Sequence, residues 1–253
     1  MSQTCRWFLT PGIAGSRDSP LTAHGVLQAK CLGTHLAARS DSLKPITHVF
    51  ASDLSRAYKT AEAVVEACSL PASLIEFVPL AELREKSFGA LEGTKYATAQ
   101  HTGRGESPET FNAMQARVNR FLDQHFVPVV RSRSPADAGT VIVVAHGVVL
   151  NVLIKTLASR FRPENVLAPD DFRTDNRHIP WRNTGYLESV LDVADDQVNT
   201  ISSAGQGLDD LKLTIEAINC VDHLKGLKKT GGGIGSSKFD PAQRTLDTFV
   251  FKR

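Results

Sequence analysis

The chain has 253 residues, which fits one α/β domain with a tail, or at most two small domains. A net charge of +2 argues neither for nucleic acid nor for a membrane surface as a partner, and no apolar run approaches the roughly 20 residues that span a bilayer. The four cysteines are scattered, without a CxxC pair, which argues against a disulfide framework or a zinc site and favours an intracellular protein, cytoplasmic or nuclear.

The first half of the chain alternates between strand and helix patterns. Residues 6–10 predict a short strand that ends at Pro11-Gly12, and Thr22 is a reasonable N-cap for a helix with apolar residues at helical spacing. Residues 47–51 predict a second strand, followed by a helix over residues 54–68. The pattern of residues 75–79 predicts an extended segment, and that of residues 80–93 predicts an irregular loop.

The second half continues the alternation. Ser107-Pro108-Glu109 predicts a helix start, with Ser107 as cap, and the helix continues through Phe126. The run Val141–Val144 predicts a strand buried on both faces, and a helix pattern begins directly after His146-Gly147. Residues 186–191 predict a further strand.

This order of elements predicts an α/β fold: a doubly wound, mostly parallel sheet with helices on both faces. The predicted domain covers residues 1–218. Residues 219–253 form a C-terminal extension, in which a Gly/Lys-rich linker precedes a terminal apolar segment.

Three segments could carry chemistry. Arg56, in the first turn of a helix after a strand, could bind a phosphate through two parallel hydrogen bonds, although an ordinary surface arginine explains it as well. Glu85 lies in a charged loop with glycines and could supply a general acid, or it could belong to a solvated loop. His146 ends a central strand, where open α/β sheets place their ligands; the alternative is a buried structural histidine.

Together these segments resemble the histidine phosphatase superfamily, also called the phosphoglycerate mutase-like family. The resemblance extends from Asp18–Ser19–Pro20–Leu21–Thr22 to Asn183–Thr184–Gly185 and covers roughly residues 13 to 192. It implies phosphomonoester hydrolysis through a phosphohistidine, without metal or cofactor. It further implies that Arg56 and His146 bind the phosphoryl oxygens and that Glu85 protonates the leaving group.

One part of the family pattern is missing. The resemblance implies an Arg-His-Gly motif after the first strand, whose histidine attacks phosphorus, yet Thr10-Pro11-Gly12 stands at that place. His24, in Ala23-His24-Gly25, is a poor substitute because it falls at the start of the next helix. Covalent catalysis needs an activated nucleophile within reach of the substrate, so the chain is predicted to be impaired.

Three explanations for the missing motif stay open. The chain is a pseudoenzyme that binds phosphoesters without catalysis, a shortened or misassembled gene product of an active phosphatase, or an enzyme that retains slow hydrolysis by direct attack of water. The intact motifs directly after the junction favour the second explanation.

The remaining predictions concern substrate and partners. Arg17 and Arg84 could flank the pocket and bind a small acidic phosphoester, or they could be surface charges. The short polar stretch from Tyr96 to Ser107 favours a phosphatase over a glycolytic mutase. Near the C-terminus, Gln243, Leu246 and Phe249 approximate a sliding-clamp-binding box, which predicts a possible protein partner; a terminal segment docking on its own domain is the alternative.

Overall fold

A mixed β-sheet with helices on both faces forms the centre of the molecule. The computed structural model describes residues 2–3, 15–39, 44–68, 75–93, 105–132, 139–169, 178–194 and 208–228. Within these residues, seven strands are arranged in the order β3-β2-β4-β1-β6-β7-β5. The strands are β1 (Ser2–Gln3), β2 (Ile46–Ser52), β3 (Glu76–Leu80), β4 (Thr140–Ala145), β5 (Val166–Leu167), β6 (Tyr186–Val193) and β7 (Leu211–Cys220).

The helices lie between these strands along the chain. They are α1 (Ala23–Ala38), α2 (Ser55–Ala67), α3 (Phe111–Phe121), α4 (Val127–Arg131) and α5 (Gly147–Ala158). A π-helical turn joins α3 to α4, and the loop after β3 contains two 3-10 turns, Ala81–Leu83 and Gly89–Leu91. The predicted α/β class with a mostly parallel sheet is confirmed, since β3, β2, β4 and β1 are parallel and β6 is antiparallel to its neighbours.

The two faces of the sheet bury separate cores because side chains alternate along each strand. On β4, Ile142 and Val144 join the core under α1 and α2, whereas Val143 and Ala145 join the core under α3 and α5. Helices α1 and α2 also pack closely: a Cβ at Gly33 would lie 2.6 Å from the Ala63 carbonyl oxygen. Burial on both faces explains the apolar run of β4.

The N-terminal helix begins where the sequence predicts. Thr22 caps α1, and its side chain accepts a hydrogen bond from the Gly25 amide at 3.0 Å. The predicted helix over residues 54–68 is α2, and the helix after His146 is α5. The strand predicted over residues 6–10 lies outside the described residues; β1, at Ser2–Gln3, pairs with β4.

The start of α3 differs from the prediction. Thr110, and not Ser107, is the N-cap, and its side chain accepts from the Ala113 amide at 3.1 Å. The physical reason is that Glu109 lies before the helix, because its amide donates a hydrogen bond to the Ser87 carbonyl at 2.8 Å. Phe111, the first residue of α3, is 58% exposed.

The C-terminal part of the sheet extends beyond the predicted domain boundary at residue 218. Strand β7 runs to Cys220, and the 3-10 turn Asp222–Leu224 follows it. Strand β7 is absent from the elements predicted above, although Leu211, Leu213 and Ile215 alternate with polar residues as a half-buried strand does. The linker and terminal segment after residue 228 lie outside the described residues.

Candidate active site

The carboxyl ends of the central parallel strands meet at one edge of the sheet. His146 directly follows β4, and Arg56 lies in the first turn of α2, four residues after the end of β2. Both side chains are buried, each residue being 2% exposed. The Arg56 Nε group donates a hydrogen bond to Nδ1 of His146 at 3.2 Å. The fold thus brings together two of the residues that the sequence singles out.

Backbone carbonyl oxygens accept hydrogen bonds from both terminal nitrogens of the Arg56 guanidinium. Its Nη2 donates to the Gly15 carbonyl oxygen at 2.8 Å, and its Nη1 donates to the Arg17 carbonyl oxygen at 2.9 Å. Nη1 also lies 3.5 Å from the Ser19 hydroxyl. These contacts satisfy a buried cation, and they place electron-rich oxygens where an anion would have to bind.

Hydrogen bonds define the protonation state of His146. A guanidinium can only donate, so Nδ1 facing Arg56 is the acceptor nitrogen and Nε2 carries the proton. Nε2 lies 2.9 Å from the Ser52 hydroxyl, which also accepts from the Leu54 amide. Burial, together with the charges of Arg56 and Arg117, places the pKa of His146 well below its ordinary value. The imidazole is therefore neutral at pH 7.

The Glu85 carboxylate lies against the N-terminus of α5. It accepts hydrogen bonds from the amides of Val148 at 3.1 Å and Val149 at 3.3 Å, and from the Lys86 amide at 2.8 Å. Burial raises the pKa of Glu85, whereas these amides and the charge of Arg56 oppose the rise. A half-buried carboxyl whose pKa is raised has the chemistry of a proton donor.

The two further arginines of the predicted site are located differently. Arg84 forms a two-point ion pair with Asp53, with Nε–Oδ1 and Nη2–Oδ2 distances of 2.7 and 2.6 Å. Arg17 is exposed, and a Cβ on Gly93 would lie 2.7 Å from its Nη1. The Asp53 carboxylate therefore holds the Arg84 side chain, whereas Arg17 lies near Gly93.

Two carboxylates near this site have no role in the prediction from the sequence. Asp18 accepts hydrogen bonds from both the amide and the hydroxyl of Ser55, at 2.8 and 2.7 Å, and so ties the loop before α1 to the start of α2. Although burial opposes the shift, these bonds lower the pKa of Asp18. Glu92 similarly accepts from the amide and hydroxyl of Ser16, both at 2.8 Å. Such contacts join residues far apart in the chain, so no local sequence pattern predicts them.

Some predictions fall on residues without a structural description. Thr10-Pro11-Gly12, where the family motif is expected, and the Gln243, Leu246 and Phe249 box lie outside the described residues and stay predictions. Over the part of the chain that the structure describes, no group of three or more His, Cys, Asp or Glu side chains is arranged to hold a metal ion. Nor is any helix there long and apolar enough to cross a membrane.

Comparisons with known proteins establish the family of this chain. The sequence profile of the histidine phosphatase superfamily (branch 1) matches residues 5–179. The chain belongs to this superfamily. The match spans the strand ends that carry Arg56 and His146 and also the segment around Thr10-Pro11-Gly12.

Relatives in the superfamily carry phosphatase and mutase names. A probable phosphatase of Schizosaccharomyces pombe is 28% identical over 94% of this chain and 74% of its own length. A probable phosphoglycerate mutase of Erwinia tasmaniensis is 30% identical over 74% of this chain and 88% of its own length. A mycobacterial glucosyl-3-phosphoglycerate phosphatase has a similar fold, with a TM-score of 0.60 at 18% identity over 87% of this chain and 96% of that one.

Proposed function

We propose that this chain binds phosphomonoesters at the site formed by Arg56 and His146 and hydrolyses them slowly or not at all. The buried hydrogen bond between Arg56 and His146 is the observation that carries the proposal. Once the carbonyl oxygens of Gly15 and Arg17 are displaced, the terminal nitrogens of this guanidinium become donors for a phosphoryl group, and the neighbouring imidazole holds the guanidinium in place. Phosphoryl transfer requires donors at such fixed positions. Glu85, at the start of α5, is the proposed proton donor to the leaving oxygen.

Weak binding follows from the contacts of Arg56. The carbonyl oxygens of Gly15 and Arg17 accept from the same nitrogens that would bind a phosphate. An incoming dianion must displace these oxygens before it can form two parallel hydrogen bonds with the guanidinium. We therefore expect a dissociation constant for inorganic phosphate of about 1 mM or weaker, on the order of 4 kcal/mol of binding free energy.

Impaired turnover follows from the missing nucleophile. The first histidine of the chain is His24, so no imidazole stands at Thr10-Pro11-Gly12. Proline has no nucleophilic side chain, and a threonine hydroxyl needs an adjacent base to become one. His146 is a poor replacement because its Nδ1 and Nε2 are bonded to Arg56 and Ser52. Attack by water on a bound phosphoester is the route that this site leaves open.

Two assays on the full chain test the proposal. Titration calorimetry with inorganic phosphate should show weak binding that Arg56→Lys abolishes, because lysine cannot present the planar pair of donors. The matched control, Arg160→Lys, changes an arginine that pairs with Asp123 and should bind phosphate as the parent does. Absence of binding in the parent chain would contradict the proposal.

Hydrolysis of p-nitrophenyl phosphate tests the catalytic half. The chain should release nitrophenolate little faster than buffer. Robust turnover that His146→Ala abolishes would show that a nucleophile is present after all, as would a phosphohistidine trapped on the protein. The genomic DNA upstream of codon 13 separates the explanations: an in-frame segment there that encodes Arg-His-Gly would identify the chain as a shortened product of an active phosphatase.

An intracellular location, cytoplasmic or nuclear, is proposed on the cysteine pattern alone. Fractionation of cells that express the tagged full chain tests it, and recovery of the protein in the medium would contradict it.

A further inference from the structure

A buried ion pair lies beside the loop that carries Glu85. Arg117, on α3, donates from Nε and Nη2 to the two carboxylate oxygens of Glu109, at 2.7 and 3.0 Å. Their side chains are only 10% and 15% exposed. Although burial opposes the shift, the hydrogen bonds and charge of Arg117 lower the pKa of Glu109. The pair is therefore fully charged and nearly neutral in sum at pH 7.

The same pair holds the loop on both sides of Glu85. Arg117 Nη1 donates to the carbonyl oxygens of Glu82 at 2.6 Å and Arg84 at 2.7 Å. The Glu109 amide donates to the Ser87 carbonyl at 2.8 Å, and the Ser87 amide donates back to the Glu109 carboxylate at 3.3 Å. Backbone groups one and three residues before Glu85 and two residues after it are thus fixed by one ion pair.

We propose that Arg117 and Glu109 are positioning residues that clamp residues 82–87 and so keep the Glu85 carboxylate against the N-terminus of α5. The inference rests on the role of Glu85 in the proposed function. An irregular loop lacks the repeating hydrogen bonds of a helix or strand, so side-chain bonds to its carbonyls must fix its path. An arginine suits this task because its planar group donates in several directions at once.

The Arg117–Glu109 pair could affect Glu85 by holding its loop in place or through its charge, and the charges around Glu85 allow these two effects to be distinguished. The charge of Arg56 acts on the Glu85 carboxyl, and the neutral His146 imidazole lies at the N-cap of α5. Arg117 is balanced by Glu109. Loss of the whole pair removes the clamp with little change in net charge, whereas loss of Glu109 alone leaves a new cation near the loop.

The test uses two variants of the full chain without ligand. Arg117→Lys keeps the charge but cannot reach two carbonyls and two carboxylate oxygens together. The double variant Arg117→Met/Glu109→Gln removes both charges and the clamp. Arg160→Lys, in the exposed pair with Asp123, is the matched control. Carbon-13 NMR of labelled glutamates, assigned with Glu85→Gln, follows the titration of Glu85, and hydrogen exchange follows the Val148 and Val149 amides.

In both clamp variants the pKa of Glu85 should fall towards its ordinary value, because water reaches the loosened carboxyl, and the two α5 amides should lose exchange protection. Arg160→Lys should change neither. An unchanged titration and unchanged protection in folded clamp variants would overturn the proposal. So would unfolding of both clamp variants while the control folds, since the pair would then support the whole fold. These readouts need no phosphate, so failure of phosphate binding would leave their result standing.

Discussion

At the residue scale, the candidate site consists of buried polar groups whose hydrogen bonds come from distant parts of the chain. The Arg56 guanidinium contacts carbonyls of the loop before α1, and the His146 ring contacts Ser52 at the end of β2. A buried donor left without an acceptor costs roughly 1–3 kcal/mol. The local stability of this edge of the sheet therefore depends on single side-chain atoms.

Ser52→Ala tests this dependence. The change removes the acceptor shared by the Nε2 proton of His146 and the Leu54 amide. We expect a loss of about 1–3 kcal/mol in the free energy of unfolding, measured by urea denaturation. Ser132→Ala deletes an exposed hydroxyl that bonds the Val129 carbonyl and should change stability by less than about 0.5 kcal/mol. Equal effects of the two changes would refute the inferred role of Ser52.

A second residue-scale prediction concerns pH. Burial, and the nearby His35, lower the pKa of His223 from 6.5 to about 4. Below pH 6.5 the unfolded chain binds a proton at this position that the folded chain does not, so stability should fall as the pH drops from 6.5 towards 4. His146, whose pKa is also lowered, contributes a change of the same sign.

His223→Gln should flatten this pH dependence in part. Denaturation curves at pH 7.0, 6.0 and 5.0 would measure it, and the exposed His178, changed to Gln, serves as control. If His223→Gln and the parent lost the same stability between pH 7 and 5, His223 would not be protonated on unfolding as expected.

At the element scale, helix starts show where local sequence decides structure and where it does not. Thr22 caps α1 as its sequence predicts, through a bond from the amide three residues on. Ser107 satisfies the same local rule, yet α3 begins after Thr110. The difference arises because Glu109 bonds Arg117 and Ser87, and those contacts hold the preceding residues outside the helix.

Alanine substitutions distinguish the two candidate caps. Thr110→Ala removes the acceptor of the Ala113 amide and should cost about 1 kcal/mol of unfolding free energy. Ser107→Ala, at an exposed position before the helix, should cost less than about 0.5 kcal/mol. Thermal or urea unfolding of both variants measures the difference. A larger loss for Ser107→Ala would place the helix start where the sequence alone predicts it.

At the scale of the whole molecule, the sheet joins distant parts of the chain. Strand β6 pairs with both β1 and β7, and the turn after β7 brings His223 Nε2 to 2.8 Å from the Thr184 hydroxyl. Residues 219–228 are thus linked to the Asn183–Thr184–Gly185 segment. Their removal affects the middle of the fold as well as its end.

Truncation tests this prediction. A chain of residues 1–218 lacks the last two residues of β7 and the turn with His223, whereas residues 1–228 keep every described contact. We expect the shorter chain to have a lower melting temperature, by several degrees or more, since 1 kcal/mol shifts the midpoint by about 2–4 °C at this size. Equal melting temperatures would support the boundary at 218.

The sequence by itself determined the class of the fold, and it singled out Arg56, Glu85 and His146 as candidate site residues. The apolar run of β4, the cap at Thr22 and the positions of Arg56 and His146 after strands are local signals, and backbone geometry translates them directly into elements and sheet edges. For other residues, such as Arg84, the sequence offers several acidic residues as ion-pair partners and no local signal that selects one of them.

Only the tertiary structure decided what those residues contact. The Arg56 guanidinium donates to the carbonyl of Gly15, 41 positions away, and Arg84 pairs with Asp53, 31 positions away. Arg117, which pairs with Glu109, donates to the carbonyl of Glu82, 35 positions away. Hydrogen bonds of this kind depend on distance in space and on burial, and neither quantity is encoded in the spacing of residues along one element.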